Sequence, residues 1–209
     1  MKYFQTLPNI SQTDFSGNQI TVTNILARGY LLDTLQKNLY LYYDYTLKES
    51  YKPEIISYKF YNDQYRYWMI MYANNLFDVN SEWPLDYRNF VLHLADKYKE
   101  QSNAAHLDAL SYTQDTIHHY EKLITTYNNV DNVKSTLTYQ IDEDDYINTI
   151  ESTNQFALND GTIITKQVSK RPISIYDYEE GLNEKKRNIK LIKNGYANDM
   201  EKQLVSIMS

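Results

Sequence analysis

Histidine and cysteine, the residues most often used as metal ligands and nucleophiles, are scarce in this chain and are not spaced for either task. The 209 residues include no cysteine, which removes thiolate metal sites and cysteine nucleophiles. None of the four histidines lies in an HExxH pattern or at a zinc-type spacing. They are His93, His106, His118 and His119. On a helix the adjacent pair would point about 100° apart, which disfavours a shared metal. We therefore expect no metal site.

Carboxylates offer two further possibilities for chemistry. The acidic run Asp142–Asp145 lacks the central glycine and the distal glutamate of a calcium loop, so a solvated acidic loop is the favoured interpretation. Asp78 and Glu82 lie near aromatic residues, and such a pair could catalyse glycoside hydrolysis if the two were close in space. Because carboxylates are abundant here, the pair is weak support for catalysis. We expect a protein that is not an enzyme, and an enzyme with a carboxylate pair stays open as an alternative.

Nucleotide, nucleic-acid and membrane binding are also disfavoured. The five glycines are scattered singly, whereas a phosphate-binding loop needs several close together, so no cofactor is expected. The net charge is -6, and no basic stripe of the kind that binds DNA or RNA is visible. The N-terminus has no apolar segment typical of a signal peptide, and no apolar run reaches the roughly 18 residues of a membrane helix. We expect a protein made and folded in the cytosol.

Aromatic residues are unusually prominent. The chain has 22 tyrosines, and tyrosine is enriched at protein interfaces because its ring is amphipathic. The excess is consistent with surfaces that pack on other proteins, or with a codon bias that also favours Asn, Ile and Lys. Trp68 and Trp83 lie on the apolar faces of predicted helices, so we expect core anchors rather than platforms for sugar rings.

The periodicity of apolar residues predicts a mixed α+β chain. An irregular polar stretch over residues 1–22 and a helix over 24–36 form an N-terminal arm, 1–38. Segment 39–99 is predicted to contain a tyrosine-rich strand, two helices on either side of an Asn-Asp turn, a loop or short strand, and a third helix. In chain order these occupy Leu39–Leu47, residues from Pro53 to the Asn62–Asp63 turn, Gln64–Asn74, Leu76–Asn80 and residues from Glu82 onward.

The second half is predicted to contain a helix plus a hairpin in segment 100–177, and a helix, a strand and a helix in segment 178–209. The polar residues Lys97–Asn103 are interpreted as a linker. In chain order the predicted elements are a helix over 107–127, strands over Val133–Ile141 and Gly161–Val168, a helix over Tyr178–Asn188, a strand over Ile189–Ile192 and a helix over Ala197–Met208.

Segment 39–99 resembles the LysM module. The strand Leu39–Leu47 and the piece after Asn75 could pair beside the two helices, which would give a small βααβ unit. The positions typical of that module are occupied by Ile55–Ile56, Asn62–Asp63, Trp68 and Asn74 or Asn75.

A longer set of residues, in order and spacing, is similar to the baseplate wedge subunit 53 family of T4-like contractile-tailed phages. It comprises Lys52–Ile56, Tyr58–Asp63, Tyr67–Trp68, Asn74–Asn75, Phe77–Asp78 and Trp83–Leu85. Glu184–Ile192 and the helix that ends at Met208 also resemble that family. The resemblance covers residues 20–98 well and 178–208 fairly, whereas 100–177 match poorly. Asn62 stands where the family often has glycine, and asparagine also tolerates the positive φ of such a turn.

The resemblance implies a structural protein of the virion. Members of the family have a LysM-like core, join neighbouring wedge subunits into the hexameric tail baseplate around the hub, and have no known catalytic activity. The expected partners are other baseplate wedge and hub proteins, with about six copies per virion, after assembly in the host cytoplasm. A LysM-type module that binds peptidoglycan or another carbohydrate is the alternative. The candidate core or interface residues are Tyr40, Tyr42, Tyr43, Tyr67, Trp68, Asn74, Phe77, Asp78, Trp83 and Pro84.

Overall fold

Two compact units divide the chain, and the sequence of the second interrupts that of the first. The structure, a computed structural model, describes residues 3–25 and 39–208. Unit 1 contains the described residues up to Asp86 and from Asn183 onward, and unit 2 is Tyr87–Leu182. The predicted boundaries at residues 99 and 177 therefore lie within unit 2, and the predicted segments 39–99 and 178–209 both contribute to unit 1.

The chain combines helices with antiparallel strands, which confirms the predicted α+β class. The strands are β1 (Asn9–Thr13), β2 (Gln19–Thr23), β3 (Tyr42–Thr46), β4 (Ile117–Asn128), β5 (Val133–Ile141), β6 (Ser152–Ala157), β7 (Ile163–Ser174) and β8 (Asn188–Ile192). The helices are α1 (Pro53–Tyr61), α2 (Tyr67–Ala73), α3 (Val79–Glu82), α4 (Tyr87–Lys97), α5 (Lys99–Ala104), α6 (Ala109–Asp115), α7 (Glu143–Asn148), α8 (Ile175–Lys185) and α9 (Asn194–Met208). All but the start of the helix predicted over 24–36 lies outside the described residues.

An antiparallel hairpin replaces the irregular stretch predicted over residues 1–22. Strands β1 and β2 pair from Asn9↔Thr23 to Thr13↔Gln19. The side chain of Asp14 accepts two backbone N–H bonds at 2.8 Å, and Gly17 has a φ of +86°, so the chain reverses between the strands. The prediction was wrong because the β-branched residues of β2 were outweighed by the polar residues around them.

The central sheet of unit 1 joins two strands that are far apart in sequence. Strand β3 pairs antiparallel with β8, from Tyr42↔Ile192 to Thr46↔Asn188. The order β3, α1, α2, β8 is a βααβ arrangement, and its last strand follows the whole of unit 2 in the sequence. The predicted pairing of the first strand with Leu76–Asn80 was wrong. Asn75 has a φ of 53°, which turns the chain after α2, and residues 76–78 are irregular before α3 begins.

Helix α1 begins and ends at the residues that the sequence suggested. Helix α2 begins at Tyr67 rather than at the predicted Gln64, and α3 includes Val79 and Asn80, which were predicted as part of a loop or short strand. Pro53 occupies the first turn of α1, and Asn62 ends it with a φ of 55°, so the predicted Asn62–Asp63 turn is confirmed. The carboxylate of Asp63 then accepts the N–H of Tyr65 at 2.8 Å. Three short 3₁₀ turns lie near the N-terminus, before β3 and before α2. Because the second of them occupies Leu39–Leu41, the strand predicted over Leu39–Leu47 is shortened to β3. The three turns are Tyr3–Gln5, Leu39–Leu41 and Gln64–Arg66.

The core of unit 1 depends on both ends of its sequence. Residues from β8 and α9 are buried together with those of α1 and α2, which confirms the predicted strand over Ile189–Ile192 and the helix over Ala197–Met208. The hydroxyl of Tyr61 in α1 donates to the carbonyl of Ile192 at 2.9 Å, and burial raises the pKa of that hydroxyl. The buried apolar residues are Leu7, Tyr42, Leu47, Ile56, Tyr61, Trp68, Met69, Ile70, Tyr72, Trp83, Ile189, Leu191, Ile192, Ala197 and Leu204.

Unit 2 contains a four-stranded antiparallel sheet in the order β5-β4-β7-β6. The predicted strand Val133–Ile141 is confirmed as β5. The strand predicted over Gly161–Val168 is longer and is β7, because the chain continues extended through Pro172. Strand β6 pairs only with Ile163–Val168, so beyond that stretch no strand of the described residues lies along this edge of β7, and a proline is tolerated there.

Four other predictions in this part of the chain were wrong. The helix over 107–127 is instead α6 followed by β4, because Tyr120 to Tyr127 pair with two neighbouring strands. The linker over Lys97–Asn103 is largely helical, as α5. The helix expected from Glu82–Leu85 begins at Tyr87, since Trp83 precedes proline and is extended. The acidic loop is the start of α7, with Asp142 as its cap.

A buried carboxylate connects two helices of unit 2. Glu179 in α8 accepts hydrogen bonds from the Lys97 ammonium at 2.7 Å and the Tyr98 hydroxyl at 2.8 Å. Burial alone would raise the pKa of Glu179, but the hydrogen bonds from Lys97 and Tyr98 and the charge of Lys97 outweigh it, so this pKa lies below the ordinary 4.5. Burial and the neighbouring Glu179 together raise the pKa of Tyr98.

Replacing Glu179 by glutamine is expected to remove a pH-dependent part of the stability of unit 2. Because the folded-state pKa is lowered, the stabilisation by the carboxylate is present above about pH 4.5 and is lost as the pH falls through the folded pKa. Glu179→Gln should lower the free energy of unfolding by about 1 kcal/mol at neutral pH. The effect is modest because Lys97 is partly exposed and water screens its charge. Urea unfolding followed by circular dichroism from neutral to acidic pH checks this. The exposed Glu180→Gln is the control, and a pH-independent difference would contradict the assignment.

Candidate interaction surfaces

Three of the candidate aromatic residues are parts of the core of unit 1. Tyr42, Trp68 and Trp83 are 8%, 2% and 5% exposed. The indole N–H of Trp83 donates to the carbonyl of Tyr51 at 2.7 Å, whereas the buried indole N–H of Trp68 has no hydrogen-bond partner among the described residues. Both tryptophans are therefore core residues, as the sequence indicated, and neither offers a ring face for stacking on a sugar.

The two tryptophans should respond differently to replacement by phenylalanine. Trp83→Phe leaves the Tyr51 carbonyl without its donor, while Trp68→Phe removes a donor that was already unpaired. We expect Trp83→Phe to cost about 1–2 kcal/mol more in the free energy of unfolding than Trp68→Phe. Urea unfolding followed by circular dichroism measures both, each variant serving as the control for the other. An equal or larger cost for Trp68→Phe would contradict the hydrogen-bond assignment.

Asn74 joins the end of α2 to strand β8. Its side-chain amide donates to the carbonyls of Ile70 and Lys190, both at 2.8 Å, and its side-chain oxygen accepts the N–H of Lys190 at 2.7 Å. The amide thus pairs with both backbone groups of Lys190, as a neighbouring strand would. The sequence analysis placed an asparagine at this point before a second strand in the chain, but no strand follows Asn75, and the strand that Asn74 contacts is β8.

Asp78 and Glu82, the pair that could have served glycoside hydrolysis, hold the start of α3. The Asp78 carboxylate accepts the N–H of Asn80 and the hydroxyl of Ser81, both at 2.9 Å, and these bonds lower the pKa of Asp78. The Glu82 carboxylate accepts the N–H groups of Phe77 and Asp78. This reciprocal arrangement resembles a capping box with the second carboxylate one residue further along, so both carboxylates have a structural role.

The remaining candidates differ in exposure. Tyr40, Tyr43 and Phe77 are 82%, 52% and 60% exposed, and Tyr67 and Pro84 are half-buried. The ring of Tyr43 stacks on that of Phe60, with centroids 6.0 Å apart and planes 28° apart. We call Tyr43 and Phe60 the aromatic pair. With Tyr40 and Phe77, Tyr43 is one of the candidate aromatic residues that could contact a ligand or a partner chain without unfolding.

The adjacent histidines lie at the start of β4 and not on the helix that was expected. A register shift between Ile117 and His119 places the Nδ1 atoms of His118 and His119 2.8 Å apart, and the ring of His118 stacks on Tyr178 at 3.9 Å. At this distance the two rings form a hydrogen bond, in which one Nδ1 donates and the other accepts. Within residues 3–25 and 39–208, no group of three or more His, Cys, Asp or Glu side chains could hold a metal ion.

One side of the sheet in unit 2 carries two apolar rows, which are separated by a row of exposed polar residues, Ser135, Thr126, Lys166 and Asn154. By register, Leu137, Ile124 and Val168 lie side by side across β5, β4 and β7, with Val133, Ile164 and Phe156 on the same side of the sheet. We call these six residues the apolar face. The opposite side has a row of Thr136, Thr125, Gln167 and Thr153, which suits contact with water.

Helix α7 covers one end of the side of the sheet that carries the apolar face. Tyr146 stacks on Tyr120 at 4.4 Å, and the Lys170 ammonium donates to the Tyr146 carbonyl at 2.6 Å. Beyond the helix, Val133, Leu137 and Phe156 remain 58%, 56% and 53% exposed. The sequence showed the alternation of β5 but gave no sign of which side would be left uncovered, because that depends on how the four strands are ordered.

No protein-family model matches this chain, and no curated protein matches it. Among the helices of the described residues, none combines the length and the apolar character needed to cross a membrane.

Proposed function

We propose that this protein is a structural subunit of a contractile phage tail, which joins neighbouring wedge subunits into the hexameric baseplate around the hub. The observation that carries the proposal is the apolar face of unit 2. A sheet gains stability by burying one side against a second layer, and here α7 covers only part of that side. Val133, Leu137 and Phe156 stay more than half exposed on that side, and their burial against another chain would remove this apolar surface from water.

Two further observations support a baseplate wedge protein. The quoted residues from Lys52 to Leu85 that resemble the wedge family fold into α1, α2, α3 and the segment that follows them, all of which belong to unit 1. The βααβ arrangement of β3, α1, α2 and β8 agrees with a LysM-like core, with unit 2 inserted before the last strand. Residues 100–177, which match the family poorly, lie in that insertion.

The test of this proposal is the composition of virus particles that encode the protein. Quantitative mass spectrometry of purified particles should detect the chain at about six copies per virion, in a fixed ratio to the other baseplate proteins. Particles made without it should have separate wedges rather than closed plates in electron micrographs. Its absence from mature particles would reject the proposal.

The role of the apolar face is tested by complementation. Leu137→Ser with Phe156→Ser should impair plate closure because both side chains are about half exposed and would be buried by a partner. Thr125→Ser with Thr153→Ser, on the opposite side of the same sheet, is the matched control and should complement fully. Equal complementation by both variants would show that the apolar face takes no part in assembly.

Binding to peptidoglycan or another carbohydrate is the second candidate function, and the aromatic pair favours it. Exposed aromatic rings are suited to stacking on sugar rings, and Tyr43, which is 52% exposed, lies beside the half-buried ring of Phe60 in unit 1. Calorimetric titration with chitin and peptidoglycan oligomers separates the two functions. Binding that is lost in Tyr43→Ala and kept in the exposed Tyr58→Ala would favour the carbohydrate-binding module.

A further inference from the structure

The outer edge of β5 offers an unpaired backbone of unusual length. Strand β5 pairs with β4 on one side, and within the described ranges no strand pairs with its other side. Its nine residues are all exposed except Ile141, which is half-buried, and they include no proline, no glycine and one charge, that of Lys134. The register with β4 is regular from end to end. Exposed edge strands are normally blunted by prolines, bulges or several charges, and β5 is hardly protected in this way.

A second copy of the same strand fits this edge in one full-length register. If two β5 strands pair antiparallel with Leu137 opposite Leu137, all nine residues of each find a partner, from Val133 opposite Ile141 onward. Such a ladder supplies about eight to ten hydrogen bonds, which is close to the number in a typical protein interface. Any shift of the register leaves part of each strand unpaired.

The same register matches side chains by polarity. A two-fold axis through Leu137, perpendicular to the sheet, keeps the apolar faces of both copies on one side. The row Val168, Ile124 and Leu137 then continues directly into Leu137, Ile124 and Val168 of the second copy. Two sheets of four strands become one of eight, with an uninterrupted apolar row at its centre.

Charges also complement one another in this pairing. In this register Lys134 lies opposite Gln140 of the second copy, two residues before its Asp142, and the symmetry repeats the arrangement at the other end. The Asp142 side chain is exposed beside the end of β5, where it caps α7. No two like charges face each other, because Lys134 is the one charged residue of the strand.

We infer that two copies of this chain associate through their β5 strands to form a continuous eight-stranded sheet. This inference rests on the edge, the register and the charges of unit 2 and does not depend on the proposed role in a phage tail. A homodimer could exist in a protein with another function, and a baseplate subunit could use other surfaces.

Paired charge variants test the inference in solution. Thr136 lies opposite Thr138 of the second copy, and both threonines are exposed. Thr136→Lys with Thr138→Lys should weaken dimerisation, measured by sedimentation equilibrium, at least about tenfold, and so should the same positions changed to glutamate. An equimolar mixture of the two variants should restore association. Thr153→Lys with Gln155→Lys, on the other edge strand, carries the same added charge and should dimerise like the parent protein.

A cysteine cross-link tests the position of the symmetry axis. The chain has no cysteine, so a single introduced thiol reports one contact. Opposite residues of an antiparallel pair have Cα atoms about 4.5–5.5 Å apart, which a disulfide spans. Leu137→Cys should form a cross-linked dimer under mild oxidation, and the equally exposed Phe156→Cys on β6 should not.

Three results would overturn the inference. The first is a parent protein that remains monomeric at high concentration, and the second is equal cross-linking of both cysteine variants. The third is a monomer whose charged variants lose binding to a different protein, because the strand would then pair with another chain.

Discussion

Truncation of the chain after Arg187 is expected to unfold unit 1, although all of α1, α2 and α3 would remain. The lost residues of β8 and α9 supply five buried members of the core. They are Ile189, Leu191, Ile192, Ala197 and Leu204, each at most 5% exposed. Burying a leucine or isoleucine side chain contributes about 1.5–3 kcal/mol, so the loss exceeds about 6 kcal/mol. That is comparable with the entire stability of a typical domain, about 5–15 kcal/mol.

Tryptophan fluorescence measures this result directly. The two tryptophans of the chain, Trp68 and Trp83, are both buried in unit 1, so their emission reports on that unit alone. The truncated chain should emit at the longer wavelength of solvent-exposed indole, in contrast to the full chain. Emission at the wavelength of the full chain would show that residues 39–86 form a stable unit without β8.

Replacement of Tyr87–Leu182 by a short flexible linker is the matched control. Leu85 and Asn183 are held side by side, because the N–H of Leu85 donates to the Asn183 side chain at 2.8 Å and that side chain donates back to the Leu85 carbonyl at 2.9 Å. A short linker can therefore join the two ends. This variant lacks far more of the chain than the truncation does, yet its tryptophan emission should match that of the full chain.

Leu94→Ala is expected to have the largest effect of a single substitution in unit 2. Leu94 lies in α4 and is completely buried, and unit 2 has few other buried apolar residues, among them Phe90 and Ile175. Truncation of a buried leucine to alanine costs about 2–5 kcal/mol. Hydrogen exchange of the amides of α4 and of the adjoining α6 should accelerate accordingly.

Leu92→Ala provides the control for this substitution on the same helix. Leu92 is 57% exposed, so its removal should change the free energy of unfolding by less than about 0.5 kcal/mol. Similar exchange rates in the two variants would contradict the assignment of Leu94 to the core of unit 2.

Local signals in the sequence were sufficient to locate several elements. Pro53 and Asn62 mark the ends of α1 by their backbone preferences, and the alternating residues of β5 identify a strand. The burial of Trp68 and Trp83 also followed from their apolar surroundings. These features depend on neighbouring residues, which is why a single sequence contains them.

The sequence could not show which distant strands pair with one another. The partner of β3 is β8, and nothing near residues 42–46 distinguishes that strand from the closer Leu76–Asn80. The helical spacing of Leu110, Ile117, Ile124 and Tyr127 was misleading, because alternate residues of β4 meet two different neighbouring strands. For the same reason the apolar face, defined by the order of four strands, was missed.

The contact between Asn74 and β8 has a consequence for synthesis on the ribosome. Lys190 follows Asn74 by 116 residues, so the contact must wait about 6–23 s at the usual rate of about 5–20 residues per second. During that interval α1 and α2 have emerged without the strand that covers them, whereas unit 2 is contiguous and can fold as it is made. The nascent chain should therefore engage a holding chaperone through α1 and α2, and release it once β8 has left the exit tunnel.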